Sequence, residues 1–232
     1  MNDLAHRPAR GFTLLELLVV IMVIGILIAL GSSAIRNVGG MDVTSGVARA
    51  EAFLHEARAV AVGSGDPSRL LIDIDDLGSE NYLRRLVIIA RERGVDGVDG
   101  VDGEERWRLV GAALFLPRGV YFSRQFSRKN HGAGSGEIEE MTLTGQGQTF
   151  DGRYLYYEFN GEGICVTGRD GDGGYSGVSF VLGGGMRDLG GQPRTTGKGR
   201  RNFGGFVIWR NGSTSLFRDP QQIIGSVGPL EF

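Results

Sequence analysis

The chain is poor in the side chains that do chemistry. One cysteine, Cys165, and three histidines stand among 232 residues. A lone cysteine excludes an intrachain disulfide. Its neighbours Ile164 and Val166 mark it as a buried apolar filler rather than a reactive thiol. His6 lies near the start, His55 in a helical stretch and His131 in the loop-like "SRKNHGAGSGE". None has a motif-placed serine or cysteine such as G-x-S-x-G, and such dispersion does not make a zinc site. Charge of one sign is missing too: a net −2 gives no global pull toward nucleic acid. No strand–helix alternation supports a parallel nucleotide-binding sheet. We therefore expect no catalytic residue, no metal and no cofactor; the chain does not read as an enzyme.

Two acidic stretches invite a calcium reading. In "RDGDGGYSG", Asp170 and Asp172 stand two apart among glycines. An EF-hand loop also needs a third oxygen ligand and a distal glutamate, which are absent at the right offset. "GVDGVDGVDG", residues 94–103, repeats an acidic triplet and reads as a flexible insertion between strands. Forty glycines, without a collagen period, imply many turns and loops.

What the sequence does have is one long apolar run. Residues 12–30 are almost wholly apolar, and Leu14, Leu15, Leu17, Leu18, Val19, Val20, Ile21 and Met22 leave no polar face. As a helix this run is roughly 28 Å long, close to the ~30 Å of a bilayer's hydrocarbon. Three membrane readings compete. A cleaved signal peptide has a shorter apolar stretch, although Gly31-Ser32-Ser33-Ala34 could mimic its cleavage site. A plain anchor explains the length but not Glu16, since an ionisable group within a span needs a partner. A cut between Gly11 and Phe12 supplies one: a new α-amine four residues from Glu16, on the same helical face and largely cationic below its pKa of about 8. Amine and carboxylate then neutralise each other within a helix or between neighbours.

These residues carry a resemblance. "RGFTLLEL", Arg10 to Leu17, resembles the processing site of type IV pilins and of the pseudopilins of type II secretion. The resemblance implies that a prepilin peptidase cuts after Gly11, that Phe12 is N-methylated, and that Glu16 is the carboxylate registering each subunit with its neighbour. It implies a leader at 1–11, a transmembrane and filament-core helix at 12–30, a helix continuation at 31–65 and a head at 66–232. His6, Arg7 and Arg10 precede the span and only Arg36 closely follows it, so the positive-inside tendency leaves the leader cytoplasmic. The resemblance makes the other side the periplasm of a bacterial inner membrane.

Beyond the run, Val47, Ala50, Leu54, Ala57 and Ala61 recur at helical steps, so a second helical stretch is expected over 43–62. Gly39-Gly40 could loosen the join, and Gly63 to Pro67 stops the helix. Strands are then expected at 69–74, 82–91, 107–115, 119–122, weakly at 142–143, and at 153–159, 163–166, 176–182, 205–210 and 214–218. The last two are joined by the hairpin signal Asn211-Gly212. The expected class is α+β: a long N-terminal helix, its first half spanning the membrane, packed against an antiparallel β-sheet head.

In the head, "WRLVGAALFLPRGVYF", "YYEFNGEG" and "FVIWRNGSTSLFR" resemble segments of H-type minor pseudopilins and of FimT/FimU-like minor pilins. The implied function is a minor pseudopilin of a type II secretion filament, with prepilin peptidase, sibling pilins, the inner membrane and secreted cargo as partners. The alternative is a type IV pilus minor pilin acting in assembly or DNA uptake. For it, Arg194, Lys198, Arg200 and Arg201 lie in a basic stretch with Phe203, Phe206 and Trp209 interleaved, a pattern that could hold phosphates and stack bases.

Overall fold

The structure is a computed structural model that describes residues 14–35, 38–92, 106–168, 176–187, 191–194 and 202–217. It divides the chain into two compact units, Met1–Val38 and Gly39–Phe232. The first contains helix α1, Leu14–Ile35. Helix α2, Val38–Ser64, lies in the second from Gly39 onward.

Helix α2 forms because its apolar residues keep to one face. Val43, Val47, Ala50, Leu54, Ala57 and Ala61 fall at alternating four- and three-residue steps, and all are buried. The helix stops where its backbone groups find other partners. The Ser64 hydroxyl donates back to the Val60 carbonyl at 2.9 Å, and Gly65, at φ 71°, takes the left-handed turn that closes helices.

Among the described residues eleven strands follow. A five-stranded antiparallel sheet has the order β3-β2-β1-β8-β7: Trp107–Phe115, Arg85–Arg91, Ser68–Asp73, Gly152–Phe159 and Glu140–Leu143. A four-stranded antiparallel sheet has the order β11-β10-β9-β4: Thr214–Phe217, Phe203–Ile208, Val178–Gly184 and Val120–Phe122. A small hairpin pairs β5, Arg128–Asn130, with β6, Ser135–Glu137. The expected α+β class, a helix on antiparallel sheet, holds.

The main core joins the α2 stripe to both sheets. Leu70, Ile72, Leu86, Ile88 and Leu155 come from the larger sheet, and Phe180, Leu182, Phe206 and Ile208 from the smaller. Phe122, Tyr157, Phe180 and Phe206 form an aromatic chain with ring centroids 4.9–6.3 Å apart. The Tyr157 hydroxyl is satisfied by the Ser179 carbonyl at 2.8 Å. Close packing decides one glycine: a Cβ on Gly205 would lie 2.1 Å from the Phe180 carbonyl oxygen, so no other residue fits there.

A second cluster lies on the other face of the larger sheet, around Leu71, Val87, Ile89, Leu143 and Tyr154. The connection between β7 and β8, residues 144–151, crosses this face as a strap. Phe150 packs into the cluster, and the Thr149 carbonyl accepts from Arg85 Nη1 at 2.5 Å.

Three sequence expectations need correction. Residues 82–84 are a turn rather than the start of β2, with Leu83 at φ 57°. Residues 163–166 make only an isolated bridge, Phe159 to Cys165, because the Asn160 side chain ties up the amides of Glu162 and Ile164. The loop-like stretch around His131 carries the β5–β6 hairpin. The Asn211-Gly212 hairpin forms as a wider loop: the Gly212 amide donates to the Trp209 carbonyl at 2.8 Å, Gly212 has φ 75°, and the Trp209 amide donates to the Ser213 carbonyl at 2.9 Å.

Candidate functional site

The candidate site is the amino-terminal end of α1. Its sequence, LLELLVVIMVIGILIALGSSAI, is apolar from Leu14 to Leu30 except for one carboxylate, Glu16, in the first turn. Every side chain from 14 to 24 is exposed, Leu14 at 88%. A helix with no polar face gains nothing from amphipathic packing and needs an apolar environment on all sides. Glu16 sits where the helix dipole favours a negative charge. Among the described residues no helix is long and apolar enough to cross a membrane; the side chains of α1 are described only over 14–24. The sequence-predicted processing residues, Gly11 and Phe12, lie outside the described residues.

Of the basic residues singled out for phosphate binding, only Arg194 is described; Lys198, Arg200 and Arg201 lie outside. The Arg194 backbone bridges Met186, with reciprocal amide–carbonyl bonds of 2.8 and 2.9 Å. The interleaved aromatics do not form the expected stacking surface. Phe203 and Phe206 are buried in the core, and only Trp209 is exposed, at 38%, with its indole N–H donating to the Ser215 hydroxyl.

The remaining candidates take structural places. Cys165 is buried in the main core, as its flanks predicted. His55 is exposed on α2 beside the Thr214 hydroxyl, Nε2 to Oγ1 3.3 Å. His131 stacks on Phe217 with centroids 6.4 Å apart, and burial lowers its pKa. Asp170, Asp172 and residues 94–103 lie outside the described residues. Among the described residues no group of three or more His, Cys, Asp or Glu side chains is placed to hold a metal ion.

Sequence reasoning missed the polar construction on the outer face of the larger sheet. Arg85 and Asp73 form a buried ion pair at 2.7 Å, their side chains 7% and 3% exposed. Arg85 Nη2 also donates to the Tyr154 hydroxyl at 2.9 Å, and that hydroxyl donates to the Phe150 carbonyl at 2.8 Å. Burial pushes the Tyr154 phenol up to about 12 although Arg85 opposes the shift, so the phenol remains a donor at neutral pH. Nearby, the Arg69 guanidinium lies between the Trp107 and Tyr156 rings, 4.1 and 4.4 Å from their centroids, and pairs with Glu158 at 2.7 Å. The only sequence signal was alternation in β1 and β8, which puts 69, 71 and 73 on one face with 154, 156 and 158.

Residues 6–32 match the family model described as the prokaryotic N-terminal methylation motif. No curated protein matches the chain. Among solved structures, the minor pseudopilin EpsH from the Type 2 Secretion System of Vibrio cholerae is similar at 11% identity and a TM-score of 0.37, over 76% of this chain and 97% of that one. A likeness at that level carries no argument about this chain, whose fold rests on the elements described above. The chain thus carries a prokaryotic N-terminal methylation motif over residues 6–32, ahead of a head built as a helix on antiparallel sheets.

Proposed function

We propose that the chain is a minor pseudopilin of a type II secretion system. Prepilin peptidase cuts after Gly11, Phe12 is methylated, and residues 12–30 hold the subunit in the inner membrane with residues 31–65 leading into a periplasmic head at 66–232. The subunit then joins siblings through that helix in a short filament that serves protein export. Its work is mechanical: the helix bundles, and the head meets sibling subunits or cargo. The head segments quoted above resemble H-type minor pseudopilins and FimT/FimU-like minor pilins alike, so a minor pilin of a type IV pilus, acting in assembly or DNA uptake, is the alternative reading.

One observation carries this reading. Within the matched motif, Glu16 is the one polar side chain over 14–24 and sits in the first turn of the helix. A charge in such surroundings costs on the order of 2.5–3.5 kcal/mol on insertion scales unless it meets a partner. The α-amine created at Phe12 is the nearest cation the chain can make.

Mass spectrometry of the mature product tests the processing: its chain should begin at methylated Phe12. Gly11→Val should leave the leader attached, and Glu16→Ala should be processed and inserted yet fail to enter filaments. Normal filament assembly by Glu16→Ala would remove the charge pairing from the account.

A further inference from the structure

Among the described residues, the edge strands of the two larger sheets differ in length. Strands β4, β7 and β11 have three, four and four residues, whereas β3 has nine. Its sequence, WRLVGAALF, holds one charge, Arg108, and no lysine or proline. A long, apolar edge strand is a template for pairing with another chain. One side of β3 is taken by β2, with Ala90 opposite Arg108 and the Glu92 amide donating to the Arg106 carbonyl. By alternation the backbone groups of Trp107 and Leu109 point the other way, off the sheet.

Those groups are met by a side chain. The Gln146 amide oxygen accepts from the Leu109 amide at 3.2 Å, and Gln146 Nε2 donates to the Trp107 carbonyl at 2.7 Å. One primary amide thus makes the two bonds that a peptide of an added strand would make. Gln146 comes from the strap at 144–151, which begins at the opposite edge of the sheet and crosses its outer face. The strap is fixed at several points: the Gln146 amide donates to Asp151 Oδ1 at 2.8 Å, Thr149 and Phe150 carbonyls accept from Arg85 and Tyr154, and the Phe150 ring lies 5.5 Å from the Arg85 guanidinium.

We propose that this strap is a guard: Gln146 closes the β3 edge against strand addition, and the partner it excludes is the β3 strand of a second copy of this chain. Two β3 edges related by a two-fold axis pair antiparallel and satisfy each other at once, which is the closed arrangement identical chains favour. The half-buried Trp107, Leu109 and Ala113 would continue the apolar outer face across such a pair. Strand addition takes its affinity from main-chain hydrogen bonds, so occupying Trp107 and Leu109 removes one end of the template.

The test uses the full chain in detergent micelles and a fluorescein-labelled peptide of residues 107–115 with added terminal lysines. Gln146→Ala should bind the peptide about tenfold tighter than the unaltered chain, the net worth of a hydrogen bond or two. Gln146→Glu, which keeps the acceptor and loses the donor, should fall between them. The Leu109 amide should exchange with deuterium faster in Gln146→Ala, and a peptide N-methylated along its pairing edge should not bind. Equal binding by the unaltered chain and Gln146→Ala, unchanged Leu109 exchange, or equal binding of the N-methylated peptide would each overturn the proposal.

Discussion

Helices α1 and α2 have similar lengths, 22 and 27 residues, but their side chains find different surroundings. The apolar residues of α2 form a stripe that the head covers, down to Ala50, Leu54 and Ala57 with no exposed surface. Those of α1 point in every direction, and over 14–24 all are exposed. Helix α2 is therefore part of the core of the head, whereas α1 over 14–24 presents apolar side chains on all sides. Under the proposed function, burial for α1 comes from lipid or from sibling helices. The comparison teaches how to separate stability from assembly: changes in one helix should register in one property and leave the other alone.

Both tryptophans, Trp107 and Trp209, lie in the head, so fluorescence during urea unfolding reports the head alone. The largest loss is expected for Arg85→Ala, which leaves Asp73 buried without its cation and releases the strap; about 3–5 kcal/mol should go. Leu54→Ala in α2 should cost about 2–5 kcal/mol through lost burial and a cavity. Leu17→Ala in α1 should shift the same unfolding curve by less than about 0.5 kcal/mol. If Leu17→Ala destabilised the head as much as Leu54→Ala, the contrast between the helices would fail. Thr214→Val removes the hydroxyl that donates to Glu51 at 2.5 Å and ties β11 to α2, and should cost about 0.5–1.5 kcal/mol.

The smallest effect is a pH dependence. Burial lowers the pKa of His131 below its unfolded value of about 6.5, so between the two values the unfolded chain binds more protons. Stability should fall as pH drops below about 6.5 and level off beneath the folded pKa. His131→Gln should flatten this part of a urea-midpoint profile against pH; an unchanged slope would assign it to other groups.

Local pattern made much of this molecule legible. The α2 stripe, the alternation in β1, β2 and β8, and the Asn211-Gly212 turn are short-range signals, and the corresponding elements are present. Pairs such as Arg128 with Glu137 and Asn130 with Ser135 escaped, because three-residue polar strands have no period to detect. The strap escaped for another reason. Gln146 meets Trp107 and Leu109 across 39 and 37 positions of sequence, and nothing in a glutamine among glycines announces that reach. At the amino terminus, the motif that holds Gly11, Phe12 and Glu16 was legible because it is contiguous in sequence, and it falls within the matched residues 6–32. The basic stretch was misjudged in part: Phe203 and Phe206 looked available beside the arginines, but β10 lies within the sheet and buries them.

The single thiol, sealed beside Phe159 with 2% of its residue exposed, has a practical consequence. No step of folding waits on an oxidant, so the head should reach the same state in a reducing cytosol and outside it. A cysteine engineered onto the surface would be the one readily labelled position, giving a clean attachment point for a fluorophore or spin probe with the native sulfur left in place.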